Sequence, residues 1–514
     1  MIGLFIKSAE EFYRLGEGQL RRYHERAHDC SKTVGSSMIP PANGLLAEYN
    51  IANTSESSMG ALCLESLIGK LTTGLFPSIP SIFSLEIQHE EKLKSENPSQ
   101  QEMEEEEARK RQLLDLEIDA TRLLQSSAVW FERANILEAC AVGGSCLVYA
   151  DLKANVCRIY VVGQYVQRRS RDGAYYRAVI RHKVYTDTLD KSWLPEGMEP
   201  DGNTTVDVYI DIKIHLVSGK CSESTYCGIP GALKLVDSAE YSKHTSPWLP
   251  QEWKKTPEED YSRGHIEKMM LHLKAVGTST LAEHSLKEMI ARYNGIGINP
   301  DGTGDAKTLL ELVNKGKKIF PGKKEDFQAI HFAELGQILP MIAPNQSMVR
   351  ELYAWFLYYP GLIRNAERVT QEEVLQIRQE LMGLLSATFI NLEKSLQLPL
   401  CIRALQQVAP EVNLEGMNII ALGGTTQTAR MSESQGAERI IGILASLSQI
   451  PPEMMDYLNL PGTLTILAKG AGVDPDDILD TFENISQKRA QRQKAELLNK
   501  LATSGGSNES ISER

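Results

Sequence analysis

The chain has 514 residues, 42% hydrophobic and 24% charged, enough for about three domains and a core that needs no disulfide staples. Its 55 basic and 67 acidic residues leave a net charge of −12. That excludes a surface built to grip nucleic acid throughout, because phosphate binding needs a basic footprint; a protein that lets a duplex slide past is not excluded.

No run of about eighteen apolar residues occurs, so neither a membrane-spanning helix nor a membrane partner is expected. The start MIGLFIKSAEEF is too poor in apolar residues and too acidic for a secretory leader. Eight scattered cysteines, with no C-x-x-C pair, read as free thiols in a reducing compartment.

Residues 1–145 read as mostly helical. Asn53–Leu75 has helical apolar spacing and should stop at Phe76-Pro77, and Leu113–Ala139 reads as one long periodic stretch. Between them, Glu105, Glu106 and Glu107 each have a base four residues on, at Arg109, Lys110 and Arg111, the order that supports a solvated helix.

Residues 146–236 switch to a period near two and are rich in Val, Ile and Tyr. Turns at Asp172-Gly173 and Ser218-Gly219 divide them into an antiparallel sheet of hairpins. SPWLPQEWKKTPEED reads as a linker. Arg263–Tyr293 is helical in pattern, with apolar Ile266, Met269, Met270, Leu273 and Val276.

Residues 294–346 are broken and glycine-rich, the pattern of a small α/β insertion. Helices resume at Ser347–Tyr359 and continue to the end, apart from Val412–Thr426. One helix start is explicit: Thr370 and Glu373 form a capping box, with Val369 and Val374 as its hydrophobic staple. That helix can run to Leu398, where Pro399 should kink or end it, a length of about 43 Å. Asp474 and Pro475 mark another start. TSGGSNESISER, nearly free of apolar residues, is expected to be disordered.

A nucleotide-driven motor needs a glycine-rich loop ending in Gly-Lys-Ser/Thr; NKGKK lacks both the spacing and the hydroxyl, and Gly302-Thr303-Gly304 lacks a third glycine. NPDGTGDAKTLLE has Leu310 where a calcium loop needs a bidentate glutamate. Asp474, Asp476, Asp477 and Asp480 could be imagined around metals, but helix capping accounts for the first three. His24 and His28 are four apart on a helix and lack an evident third ligand. HExxH and G-x-S-x-G are absent. No catalytic residue, metal or cofactor is therefore expected. Two basic features remain: Lys315, Lys317, Lys318, Lys323 and Lys324 in the insertion, and Arg364-Asn365-Ala366-Glu367-Arg368 at a break between helices. By composition they are solvated loops or phosphate contacts.

RNAERVTQEEVLQIRQEL followed by SLQLPLCIRAL resembles the tunnel loop and long wing helix of portal proteins, the head-to-tail connectors of short-tailed bacteriophages. Other segments agree in order. YSRGHIEKMM resembles the start of a first stem helix, KLTTGLFPSIPSIFSL a helix ending in Leu-Phe-Pro before a strand, and QYVQRRSRDG a wing strand and turn. The resemblance covers roughly residues 20–410 and is strongest at 364–404.

It implies an α+β, mainly helical portal fold assembling into a ring. The wing would span 1–261, the first stem helix 262–296, the clip 297–337 and the second stem helix 338–357. A tunnel loop at 358–369, a long wing helix and return strand at 370–429, a helical crown at 430–502 and a disordered tail at 503–514 would follow. The implied protein is no enzyme. It forms the channel through which double-stranded DNA is packaged and ejected, in the virion at the vertex between capsid and tail, after assembly in the host cytoplasm. Implied partners are further copies (typically twelve in all), the major capsid protein, a tail adaptor, the terminase large subunit, and scaffolding or internal core proteins.

Arg364, Asn365 and Arg368 would face DNA, while the clip lysines would meet either DNA or an acidic partner. Inner helices of a ring of about twelve copies, spaced 8–10 Å, lie on a circle roughly 32–38 Å across. Subtracting a helix diameter of about 10 Å leaves a bore of roughly 22–28 Å, just wider than a B-form duplex. The rival expectations are another virion protein, such as a tail adaptor or internal core protein, and a phage hydrolase with an unrecognised site.

Overall fold

Helix α1 (Ala9–Thr33) begins where Ser8 Oγ accepts the Glu11 amide at 3.2 Å, with Glu10 and Glu11 at its positive end. The computed structural model describes residues 8–41, 58–77, 81–87, 100–195, 198–216, 218–293, 297–299, 319–321, 346–358, 387–411 and 417–422. Helix α2 (Ser58–Leu75) buries Cys63, Leu64, Leu67, Ile68, Leu71 and Leu75, one stripe at helical spacing. It stops before Phe76-Pro77, as its sequence predicts, and strand β1 (Phe83–Ile87) follows.

The stretch expected to be one helix over 113–139 is two, α3 (Gln100–Gln125) and α4 (Ala128–Gly143). Ser127 is extended, at φ −83° and ψ 155°. The Ser126 and Ser127 hydroxyls donate to the carbonyls of Leu123 and Leu124 at 3.0 and 2.6 Å. Such side-chain bonds compete with helix continuation, while apolar spacing runs on across the break.

The period-two region forms two antiparallel sheets. The larger is a five-stranded meander of β4 (Tyr165–Arg169), β5 (Tyr175–Tyr185), β6 (Thr205–Ile214), β7 (Cys221–Ile229) and β8 (Ala232–Tyr241) in chain order. The smaller sets β2 (Ser145–Asp151) between β3 (Val156–Val161) and β9 (Trp248–Glu252). Strand β9 corrects the reading of SPWLPQEWKKTPEED as a linker. As an edge strand it tolerates Pro250, which has no N–H to give a ladder, and its fully buried Gln251 exchanges 2.8 Å hydrogen bonds with Ser395.

The proline at 399 does not end the helix, but the turn just before it departs from α geometry. Residues 387–392 are helical, 393–397 widen into a π turn, and α7 (Leu398–Val408) continues with Pro399 in its first turn. A π turn removes the α-type partner that proline cannot supply. Strand β12 (Met417–Ala421) then pairs antiparallel with β1, Phe83 opposite Ala421, inside the stretch that sequence marks as non-helical.

One hydrophobic core joins these layers, including Leu67, Leu71, Phe83, Ile136, Val148, Tyr165 and Leu400. The fold is thus α+β. The capping box at Thr370, the helix start at Asp474 and the terminal dozen residues lie outside the described residues.

Candidate functional site

Two helices leave the core side by side. Helix α5 (Met270–Tyr293) and helix α6 (Gln346–Trp355) pack together, and between them in sequence β10 (Gly297–Asn299) pairs in parallel with β11 (Ile319–Pro321). Their root is built on the turn from α4 into β2.

There Gly144 sits at φ +82°, and a Cβ on it would lie 2.2 Å from the Ser262 carbonyl oxygen. A Cβ on Gly264 would lie 2.6 Å from the Ala141 carbonyl oxygen. Only glycine lets these backbones approach so closely. The contact is then hydrogen-bonded: the Ser262 amide donates to Ser145 Oγ at 2.8 Å, the His265 amide to Ala141 O at 2.8 Å, and the Trp253 amide to Gly144 O at 2.9 Å.

His265 closes the root. Its ring stacks on Trp355 with centroids 4.8 Å apart and planes 13° apart, and meets Trp253 and Phe356 edge-on at 5.2 and 5.4 Å. Nε2 lies 3.0 Å from the Trp355 carbonyl, an acceptor, which assigns the proton to that nitrogen. The Trp355 indole returns a 3.3 Å bond to the His265 carbonyl. Burial lowers the His265 pKa to about 4, against the opposing pull of the Trp355 carbonyl, so the ring is neutral at pH 7.

Beyond Trp355, Leu357 takes a left-handed φ of +54°, and Lys70 of α2 donates to its carbonyl. Arg26 of α1 pairs with Glu267 at 3.5 Å. Farther along, His272 of α5 meets Glu351 of α6 at 3.3 Å. Residues 265 and 355, 90 positions apart in the chain, therefore meet at one point of the core.

Lys315, Lys317, Lys318, Lys323, Lys324, Arg364, Asn365 and Arg368 all lie outside the described residues. Sequence reasoning singled out the run YSRGHIEKMM at 261–270 but gave no role to His265, Trp253 or Trp355. The available signal was a Gly-His pair opening one helix and an aromatic run closing the other. His24 and His28 each bond a backbone carbonyl, Pro40 and Ile39, at 2.9 Å. They tie the 36–41 segment to α1, a structural task.

A groove of about 1040 Å³ lies along α1 and the five-stranded sheet, with Phe12, Leu15 and Ile214 beside Arg168, Lys213 and Lys220. Among the described residues Glu240 is its single lining carboxylate, so they offer no carboxylate pair for acid–base work. Burial raises Glu223 and Glu252, yet both carboxylates are engaged structurally. Glu223 accepts from Trp248 Nε1 at 2.9 Å and Tyr241 at 3.3 Å, and Glu252 pairs with Arg169 at 2.8 Å. Among the described residues no His, Cys, Asp and Glu cluster could hold a metal, and no helix is long and apolar enough to cross a membrane.

The family model "Bacteriophage head to tail connecting protein" matches residues 22–479. The portal protein of Escherichia phage T7 is 24% identical over 506 residues, 95% of this chain and 91% of that protein. That of Pseudomonas phage phiKMV is 22% identical over 491 residues, 92% of each. That of Enterobacteria phage T3 is 24% identical over 504 residues, 95% of this chain and 90% of that protein. With the family model matched over most of its length, the chain belongs to the bacteriophage head to tail connecting proteins, the portal proteins of short-tailed phages.

Proposed function

We propose that copies of this chain close into a ring of about twelve, with α5 and α6 as the paired stem helices beside a central hole. The observation that carries this is the common root: His265 and Trp355 bond each other, so α5 starts and α6 ends at one point of the core. A body with one such projection packs around an axis as a wedge, projections side by side. The body is then the wing, meeting the major capsid protein, and residues 297–337 form the clip, the face for a tail adaptor and for the terminase large subunit. Residues 430–502 form the crown, and scaffolding or internal core proteins are further partners of the assembly.

Double-stranded DNA passes through the hole during packaging and ejection. The role is structural rather than catalytic, and its place is the virion vertex after assembly in the host cytoplasm. The net charge of −12 suits a conduit, since each neutralised phosphate adds salt-dependent affinity that would stall the duplex. A few basic groups then suffice for transient contact: Arg364 and Arg368, with Asn365, on the tunnel loop at 358–369, and Lys315, Lys317, Lys318, Lys323 and Lys324 on the clip.

An end-view electron-microscopic reconstruction of the purified particle tests this. The expected image is an annulus with a bore of roughly 22–28 Å lined by α5 and α6, and with residues 364–368 on its inner wall. A particle without an opening, or α5 and α6 far from the rotation axis, overturns it.

A further inference from the structure

Cys140, in the last turn of α4, and Cys146, at the start of β2, hold their sulfur atoms 3.2 Å apart. Both are fully buried. The intervening turn includes Gly144, whose left-handed backbone folds the strand back against the helix end. The same few residues form the socket described above: the carbonyls of Ala141 and Gly144 accept the amides of His265 and Trp253. Bonded sulfurs sit about 2.05 Å apart, so a disulfide here needs the two atoms to close by roughly 1 Å. The periodicity of the chain gives no hint of this pairing, since the two thiols belong to different secondary-structure types and match no C-x-x-C spacing.

We propose that Cys140 and Cys146 are an oxidisable dithiol, converted by peroxide into an intrachain disulfide that clamps the socket of the proposed stem. In the first step one thiol sulfur attacks hydrogen peroxide. An S–O bond forms, the O–O bond breaks, and one water leaves with the thiol proton, giving a sulfenic acid. The second sulfur then attacks the first. The S–S bond forms, the S–O bond breaks, and a second water leaves with the second thiol proton. Two thiols lose two electrons, and one peroxide is reduced to two waters. The oxidant must be small and uncharged to reach a site without solvent exposure, and peroxide is both. The hydrogen bond with Cys140, and then burial, raise the Cys146 thiol well above its ordinary value, which makes the first step slow and dependent on local opening. Oxidation therefore belongs to long-lived particles in an oxidising medium rather than to fresh chains in a reducing one.

The test uses the full-length assembled protein. It is held in hydrogen peroxide, unfolded in guanidinium with N-ethylmaleimide, and digested with trypsin. Cleavage after Arg133 and Lys153 releases one peptide that carries Cys140 and Cys146 and no other cysteine. The expected result is that peptide without maleimide and lighter than its dithiol form by two hydrogen atoms, and with both thiols again alkylated if reductant precedes unfolding. The oxidised protein should also melt at a higher temperature, an increase lost in Cys146→Ser. Two maleimides on the peptide after peroxide treatment, or a sulfinic acid on either sulfur, overturn the dithiol assignment. A bridge that forms and leaves the melting temperature unchanged overturns the clamping role.

Discussion

The core and the helix pair are held by different physics. In the core, many contacts share the load. Helices α1, α2 and α4, two sheets and α7 bury a continuous hydrophobic cluster, and the buried Arg177 and Asp211 meet through two 2.8 Å bonds. The α5–α6 pair has far less to lean on. Leu273, Val276, Leu352 and Phe356 are buried near the root, while Leu271 and Leu281 of α5 stay exposed at 77% and 53%. Attachment is concentrated where two glycines and one histidine meet the α4–β2 turn. A distributed core tolerates single losses; a concentrated root does not.

The sharpest way to break that contrast is Gly144→Val. It puts a β-branched residue at φ +82° and drives its Cβ to within 2.2 Å of a carbonyl oxygen. We expect a loss of about 4 kcal/mol or more, read as a fall in denaturant midpoint or in soluble yield. A stable Gly144→Val protein would mean that the root has slack and that the contrast is false.

Acid should loosen the same point. The folded chain keeps His265 neutral down to about pH 4, whereas the unfolded side chain takes a proton from pH 6.5. Between those values the unfolded state binds more protons, so stability falls as pH falls through the window and levels out below it. The expected loss between pH 7 and pH 4.5 is about 2.5 kcal/mol, measured by urea unfolding at the two values. His265→Gln, which can still donate to the Trp355 carbonyl, should flatten that slope. An equal slope in wild type and variant would place the acid sensitivity elsewhere.

The smallest effect is expected along the shaft. Glu351 is 60% exposed in its pair with His272, and exposed ion pairs contribute little. Glu351→Gln should shift unfolding by under about 0.5 kcal/mol. A larger shift would show that α5 and α6 lean on each other beyond the root.

Much of this fold is legible locally. The apolar stripe of α2 and its stop at Phe76-Pro77, the two-residue period of β4 to β7, and the helical spacing of Ile266, Leu273 and Val276 all follow from side chains that a short window contains. The misreadings share a cause. The break at Ser126-Ser127 turns on hydroxyl hydrogen bonds that leave apolar spacing untouched. Strand β9 looks like a Pro- and Trp-rich linker until β2 lies beside it. The loop residues proposed to touch DNA were legible only through resemblance, because isolated arginines and lysines carry no signature that separates a phosphate contact from a solvated loop.

By itself, then, the order of residues determined most of the elements, the membership of the portal family and the acidic balance of the chain. Tertiary structure alone decided that residues 265 and 355 meet, that Gly144 and Gly264 are packed against carbonyls, and that two of eight cysteines share a turn. Contacts between distant positions depend on how finished elements stack, and periodicity registers which side of an element is apolar, not which partner it will find.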